Sequence, residues 1–439
     1  MGIEIWALIM LAFIVVAICM GLHVFLALGA VPLIFGIIFI GPDKVFHMFP
    51  VNAFGMFINY AFVAVPLFIY MGTLMEDAGV AEALYGAFYQ LLGPLRAGLS
   101  IATIAMATVF GACTGIVGAG VILIGLLALP AMLSRGYNIS LATGTVMTGG
   151  GLAVMIPPSL MLILYGCSSG VSISELYLGS TIPGVLLGLM YMAGVYIWAL
   201  FDPTVGKPIA KEERIHGMAL LKFVSKSLLP PIFLIFAVMG SIFFGVVGPS
   251  EAGAMGVFGA AVLVIVNKRF SLETLKKSTM SALKITSAVL MICLGGQLFI
   301  GVFIMMGGDV ALKTIILGFH LGPFGTLLIM LFIVWILGFV MDWIALIFIL
   351  TPIYTSMLNF LGIDQLYFGI LFCSTLAISN MTPPFAYSAF YLRTIAPRSI
   401  SMAQIYLGCV PFFWINTAMV VVLLKWPWFV MWLPRAAYK

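Results

Sequence analysis

Hydroxyl, amide and carboxylate oxygens gather at four points of an otherwise apolar chain, and they are the kind of ligand that replaces water around a small cation. Two points are Pro-Pro pairs, Ile156-Pro157-Pro158-Ser159 and Thr382-Pro383-Pro384, the second preceded by Asn380. The other two are glycine-interrupted, Gly111-Ala112-Cys113-Thr114-Gly115 and the run from Gly338 to Asp342. Proline inside a spanning helix frees backbone carbonyls, and in lipid those groups must find a partner. Glycine accepts positive backbone dihedrals and lets a chain turn sharply inside the membrane. The freed carbonyls and polar side chains define two candidate cation sites. One uses Thr114, Gly115, Gly149, Gly150 and Pro157; the other uses Gly338, Asp342, Asn380 and Thr382. Half-helix amino termini at such breaks aim their positive ends at an anion, so Thr114, Ser159, Asn380 and Thr382 are candidate substrate contacts.

Each of these residues also has a structural reading. Glycine-lined tips are common packing contacts between membrane helices. Asp342 would cap the half-helix that follows it, and an ionisable group inside a membrane would also face a partner or a wet cavity. Arg393, a further anion candidate, lies nine residues past Pro384. Along a helix that places it near the cytoplasmic interface, where snorkelling and orientation account for it. Tyr70, Tyr165 and Tyr387 read as packing residues.

The elements that must position these points are membrane helices. Of 439 residues 64% are hydrophobic and 8% charged, with a mean hydropathy of +1.25, which excludes a water-soluble domain. Apolar stretches of spanning length recur from end to end, whereas a barrel would alternate over about 10 residues. The fold class expected is an all-α polytopic membrane protein. Six cysteines lie singly, and four histidines are scattered, so neither a disulfide framework nor a metal cluster is indicated. No glycine-rich phosphate loop with its lysine is present, so an ion gradient or another subunit must supply the drive. The net charge of +5 sits mostly in loops, reporting orientation rather than a nucleic-acid partner.

Both proline pairs follow a glycine turn by 21 residues, Gly136 before Pro157 and Gly362 before Pro383. Paired breaks at matching points of two halves point to the mid-membrane site of a secondary transporter. The expected organisation is two leading spans (1–53), a first repeat (54–200) and a linker with two spans and two basic loops (201–284). A second repeat (285–424) and a tail (425–439) follow. The first repeat holds a re-entrant hairpin near 98–133 and a broken helix near 141–166; the second holds its counterparts near 322–358 and 365–392. The basic loops, Lys207 to Lys226 and Lys268 to Lys284, are placed in the cytoplasm. That makes the repeats inverted, with ten full crossings, two hairpins and both termini external. A lateral helix is expected at Glu76–Leu91.

With these residues in place, the chain resembles the large membrane subunit of tripartite ATP-independent periplasmic (TRAP) transporters over nearly its whole length. The resemblance is carried by Val65-Pro66-Leu67-Phe68, the Gly111–Gly115 tip, Arg135-Gly136-Tyr137, Ile156-Pro157-Pro158-Ser159, Pro249-Ser250-Glu251-Ala252, Met341-Asp342 and Thr382-Pro383-Pro384. It implies an elevator transporter of the bacterial inner membrane that couples sodium entry to uptake of an organic acid anion. Sodium would be its coupling ion, with no other cofactor. A small four-span membrane subunit and a periplasmic substrate-binding protein would complete the system. Two departures stand out: Cys113-Thr114-Gly115-Ile116 replaces a serine-rich tip, and Ala386 stands where glycine is expected. A stand-alone cation-coupled anion symporter of a related inverted-repeat clan is the alternative. An intramembrane enzyme is disfavoured, because no serine–histidine, paired-aspartate or metal-ligand arrangement appears in the spans.

Overall fold

The computed structural model describes residues 2–383 and 386–437, so Pro384 of the second proline pair lies outside the described residues. These form α-helices and two short 3-10 turns, without strands. The first group is α1 (Ile3–Cys19), α2 (Val24–Phe39), α3 (Pro42–Ile58), α4 (Ala64–Asp77) and α5 (Val80–Leu92). Then come α6 (Gly98–Thr114), α7 (Val117–Ser134), α8 (Ile139–Leu152), α9 (Leu160–Ser169) and α10 (Ile173–Phe201). The middle holds α11 (Gly217–Phe243), α12 (Pro249–Val266), α13 (Leu272–Met305) and α14 (Gly308–Leu317). The chain ends with α15 (Gly322–Gly338), α16 (Trp343–Leu361), α17 (Gln365–Ser379), α18 (Tyr387–Ile395), α19 (Met402–Lys425) and α20 (Trp428–Ala437).

Seven of these helices are long and apolar enough to cross a membrane, or eight if α3 and α4, bent by 60°, make one span. α7 and α16, which the sequence assigns to hairpin arms, are among the seven. The shorter apolar helices include α6, α9, α15 and α17, and each lies beside a break or a hairpin turn.

Two stretches of the chain follow the same plan at a constant spacing. Pro157 and Pro383 are 226 positions apart, and so are the N-caps of α7 and α16, Ile116 and Asp342. α7 and α16 begin 226 residues apart, as do α8 and α17. The preceding elements match as well. α4 turns into α5 at Gly79 and α13 into α14 at Gly307, both left-handed glycines at φ 72° and 75°. α12 packs on α4 and α11 on α5, as α2 packs on α13 and α1 on α14.

Some helices run past their apolar stretches. α13 starts at Leu272, not near Ile285, because Ser271 accepts a bond from the Thr274 amide and starts the helix in polar sequence. Its 34 residues extend about 51 Å, well beyond a hydrocarbon core of about 30 Å. The expected boundaries at 53/54 and 284/285 fall inside α3 and α13. Glu76 and Asp77 end α4, and the separate helix starts only at Val80, after Gly79.

The loop after α10 is strapped beneath the first hairpin. Arg135 Nη2 donates to Glu213 Oε2 at 2.6 Å and to the Tyr89 hydroxyl at 2.7 Å, and Tyr89 donates to the same carboxylate at 2.7 Å. Those bonds, Arg135 first, hold the Glu213 carboxyl below the usual range. Tyr137 accepts from the Leu99 amide and donates to the Lys207 carbonyl, tying the start of α6 to the same loop.

Candidate functional site

The first tip closes at Gly115, whose φ of 61° is open to glycine without strain. A Cβ there would lie 3.2 Å from the Pro158 carbonyl oxygen, so the tip abuts the first proline break directly. Thr114 is 3% exposed, and its hydroxyl is 3.5 Å from the Phe110 carbonyl of its own helix. Gly72 of α4 backs onto Thr114 Cα and O so closely that a Cβ would stand 3.1 Å from each. Ser159 is fully buried and donates to the Val154 carbonyl at 2.6 Å, closing the break across Pro157 and Pro158. Its proton is therefore committed, while its oxygen can still accept.

Gly149 and Gly150 sit in the last turn of α8 and face the hairpin arms. A Cβ on Gly149 would meet Ala107 of α6 at 3.0 Å, and one on Gly150 would collide with Val121 of α7. Close packing accounts for both glycines, and it brings the carbonyl end of α8 against the hairpin. Gly151, in contrast, faces open space.

The second tip is built the same way with different side chains. Gly338 ends α15 against Ser379, where a Cβ would clash with the serine side chain. Asp342, 7% exposed, caps α16 by accepting from the Ile344 amide through Oδ2 at 3.1 Å. At the break, Asn380 is 6% exposed, and its side-chain nitrogen Nδ2 has no partner. Thr382 donates to the Ile378 carbonyl at 2.8 Å, leaving its lone pairs free. It is half-buried and borders an apolar groove of about 620 Å³ against Tyr406, Phe413 and Trp414. Arg393 lies in the last turn of α18, where Nη1 donates to the Ile400 carbonyl at 2.5 Å, closing the turn before α19.

The two breaks meet through a reciprocal pair of contacts. Thr148 donates to Met381 Sδ at 3.5 Å, and the Ser374 hydroxyl lies 3.8 Å from Met155 Sδ. Adding 226 to 148 and 155 gives 374 and 381, so residue i touches j while the counterpart of i touches the counterpart of j. That is the signature of an interface across a local two-fold axis. The hairpins cross-brace it: α7 packs on α18, with the Tyr391 ring over Gly118, and α16 packs on α9.

The first tip thus meets its break at Gly115, Pro158 and Ser159, and the second tip, which ends in Asp342, meets its break at Gly338 and Ser379, next to Asn380. Arg393 joins neither. Ser388, in the first turn of α18, is an addition that the sequence reading did not single out. It is fully buried, its hydroxyl is unpartnered, and its amide donates to the Asn380 carbonyl at 3.1 Å. Aligning the two halves at 226 would have exposed it, since its counterpart is Leu162. No cluster of three or more His, Cys, Asp or Glu residues exists among the described residues.

Comparison with known proteins agrees with this architecture. The Alcanivorax borkumensis YdaH transporter shares the fold at a TM-score of 0.63, with 15% identity and 90% of each chain covered. The C4-dicarboxylate TRAP transporter large permease protein DctM of Vibrio cholerae is 27% identical over 397 residues, 86% of each chain. The ectoine/5-hydroxyectoine TRAP transporter large permease protein UehC of Ruegeria pomeroyi is 29% identical over 379 residues, again 86% of each. Because the family model for the tripartite ATP-independent periplasmic transporter, DctM component, matches residues 8–429, nearly the full length, this chain belongs to that family of multi-pass membrane permeases.

Proposed function

We propose that this chain carries a small organic acid anion into the cell with sodium, as the transporting subunit of a tripartite system. The anion is handed over by a periplasmic binding protein, and a small four-span subunit accompanies the permease in the bacterial inner membrane. Both termini face the periplasm, and the two halves are inverted repeats that move the site as an elevator. The observation carrying this reading is the reciprocal junction of two tips and two breaks. It brings the two breaks together, each with a hairpin tip against it, and it keeps the oxygens of Thr114, Ser159, Asp342 and Asn380 buried, with Thr382 half-buried at its edge. Neutral oxygens and one carboxylate suit a hard monovalent cation. The substrates named for the two relatives, a C4-dicarboxylate and the ectoines, each bear a carboxylate, which supports an acid group on the cargo.

Each side of the junction mixes half-helix ends of opposite polarity, so cation and anion can share one site. Cation binding offsets the charge of Asp342, and the anion then enters a site that would otherwise repel it. Uptake by the complete system in proteoliposomes should collapse when external sodium is replaced by potassium or choline. Equal uptake driven by a proton gradient alone would overturn the sodium reading. Uptake that needs no soluble binding protein would favour the stand-alone symporter.

A further inference from the structure

The second break holds two buried hydrogen-bond donors with nothing to bond, Asn380 Nδ2 and Ser388 Oγ. Leaving such groups unpaired in a dry interior is costly, and native proteins keep them mainly where a ligand or water completes them. Their neighbourhood is already spent on backbone bonds. The amide of Ser388 goes to the Asn380 carbonyl, and those of Ala389 and Phe390 go to the Ala386 carbonyl. The Asn380 and Ser388 side chains are therefore donors left for a ligand at the amino end of α18. At the matching positions of the first half stand Val154 and Leu162, so this polarity belongs to one break alone.

We propose that Asn380 Nδ2 and Ser388 Oγ form the seat for a carboxylate of the transported anion, with Ser388 as a specificity-determining residue. The proposal rests on the anion-carrier reading above. Two neutral donors at the positive end of a half-helix replace water around a carboxylate without burying an unpaired arginine or lysine. The tip that ends in Asp342 packs on the same break, with Gly338 against Ser379, so the Asp342 charge lies on this side of the junction. A bare anion in this seat meets that charge, so it enters favourably only once a cation sits on Asp342. The same geometry thus gives recognition and an order of binding.

The test is thermal unfolding of the purified full chain, with sodium titrated first and then acetate, succinate and citrate added at constant sodium. Ser388→Ala removes an unpartnered hydroxyl, so the ligand-free midpoint should stay or rise while the sodium shift persists. The half-saturating concentration of the best carboxylate should rise at least about tenfold, the loss of one hydrogen bond to a charged group. Ser388→Thr, which keeps the hydroxyl, should recover most of it. Unchanged half-saturation in Ser388→Ala overturns the seat, as does a wild-type protein that none of the three carboxylates stabilises. A fall in the ligand-free midpoint marks Ser388 as structural and overturns it too. A carboxylate shift that is the same without sodium would support the seat and overturn sodium coupling, which keeps the two ideas separable.

Discussion

Asp342 combines two duties that a single substitution can separate. As N-cap it satisfies the Ile344 amide through one carboxylate oxygen, a bond an asparagine side chain can equally accept. Asp342→Asn should therefore cost less than about 1 kcal/mol of stability, read as the unfolding midpoint. If its charge holds the cation, the same variant should raise the sodium concentration for half-maximal uptake. Wild-type sodium dependence would leave Asp342 a cap, with the second cation site resting on Asn380, Thr382 and carbonyls. Asp342 was legible in the sequence because a lone carboxylate in an apolar run is costly and demands a reason. Ser388 was not, because a serine among aromatic neighbours carries no signal until its burial and missing partner are seen. Gly149 and Gly150 show a different limit. Sequence reads glycine as freedom to open carbonyls, whereas here the missing Cβ admits Ala107 and Val121.

Glycine contacts also set how the helices approach each other. α8 and α19 meet at Gly144 and Gly408, where a Cβ on Gly144 would collide with the Gly408 carbonyl. Gly144→Val should separate the two helices and cost about 3 kcal/mol or more, seen as lost folded protein in detergent. Gly151→Ala, in the same helix with open space around it, should be neutral or gain up to about 1 kcal/mol from helix propensity. Equal loss in both variants would mean that helix flexibility, not contact, governs α8. At this scale the breaks were readable from sequence, since proline and glycine act on the backbone locally and at once. Helix ends outside lipid were not. Hydropathy reports where a helix meets hydrocarbon, and α13 continues through Lys276, Lys277 and Lys284 because its N-cap and propensity carry it on.

Across the whole molecule, the elevator reading divides the helices into a moving body and a static frame. α6–α10 and α15–α19 would form the body around the reciprocal junction; α4, α12, α13 and their partners would form the frame. Spacing made the two halves visible in the sequence, but their interlocking needed coordinates, because contacts such as Thr148 to Met381 join residues 233 apart. On that reading the seam between body and frame would run past the first tip, where Met71 of α4 and Cys113 of α6 line one narrow crevice beside Pro158. Inside the body, Cys409 of α19 stands 3.7 Å from Met147 Sδ of α8. Each native cysteine therefore offers a lock that needs one substitution. Met71→Cys bridged to Cys113 by mercuric ion should arrest uptake, and a thiol reagent that removes the mercury should restore it. Met147→Cys bridged to Cys409 should leave turnover near the wild-type rate, because both residues travel together. The two locks report on the same motion from opposite sides. Arrest by the inner lock would place the moving seam within the junction itself, between α8 and α19. Free turnover with the outer lock closed would mean that the first hairpin stays against α4 throughout the cycle, which an elevator does not allow.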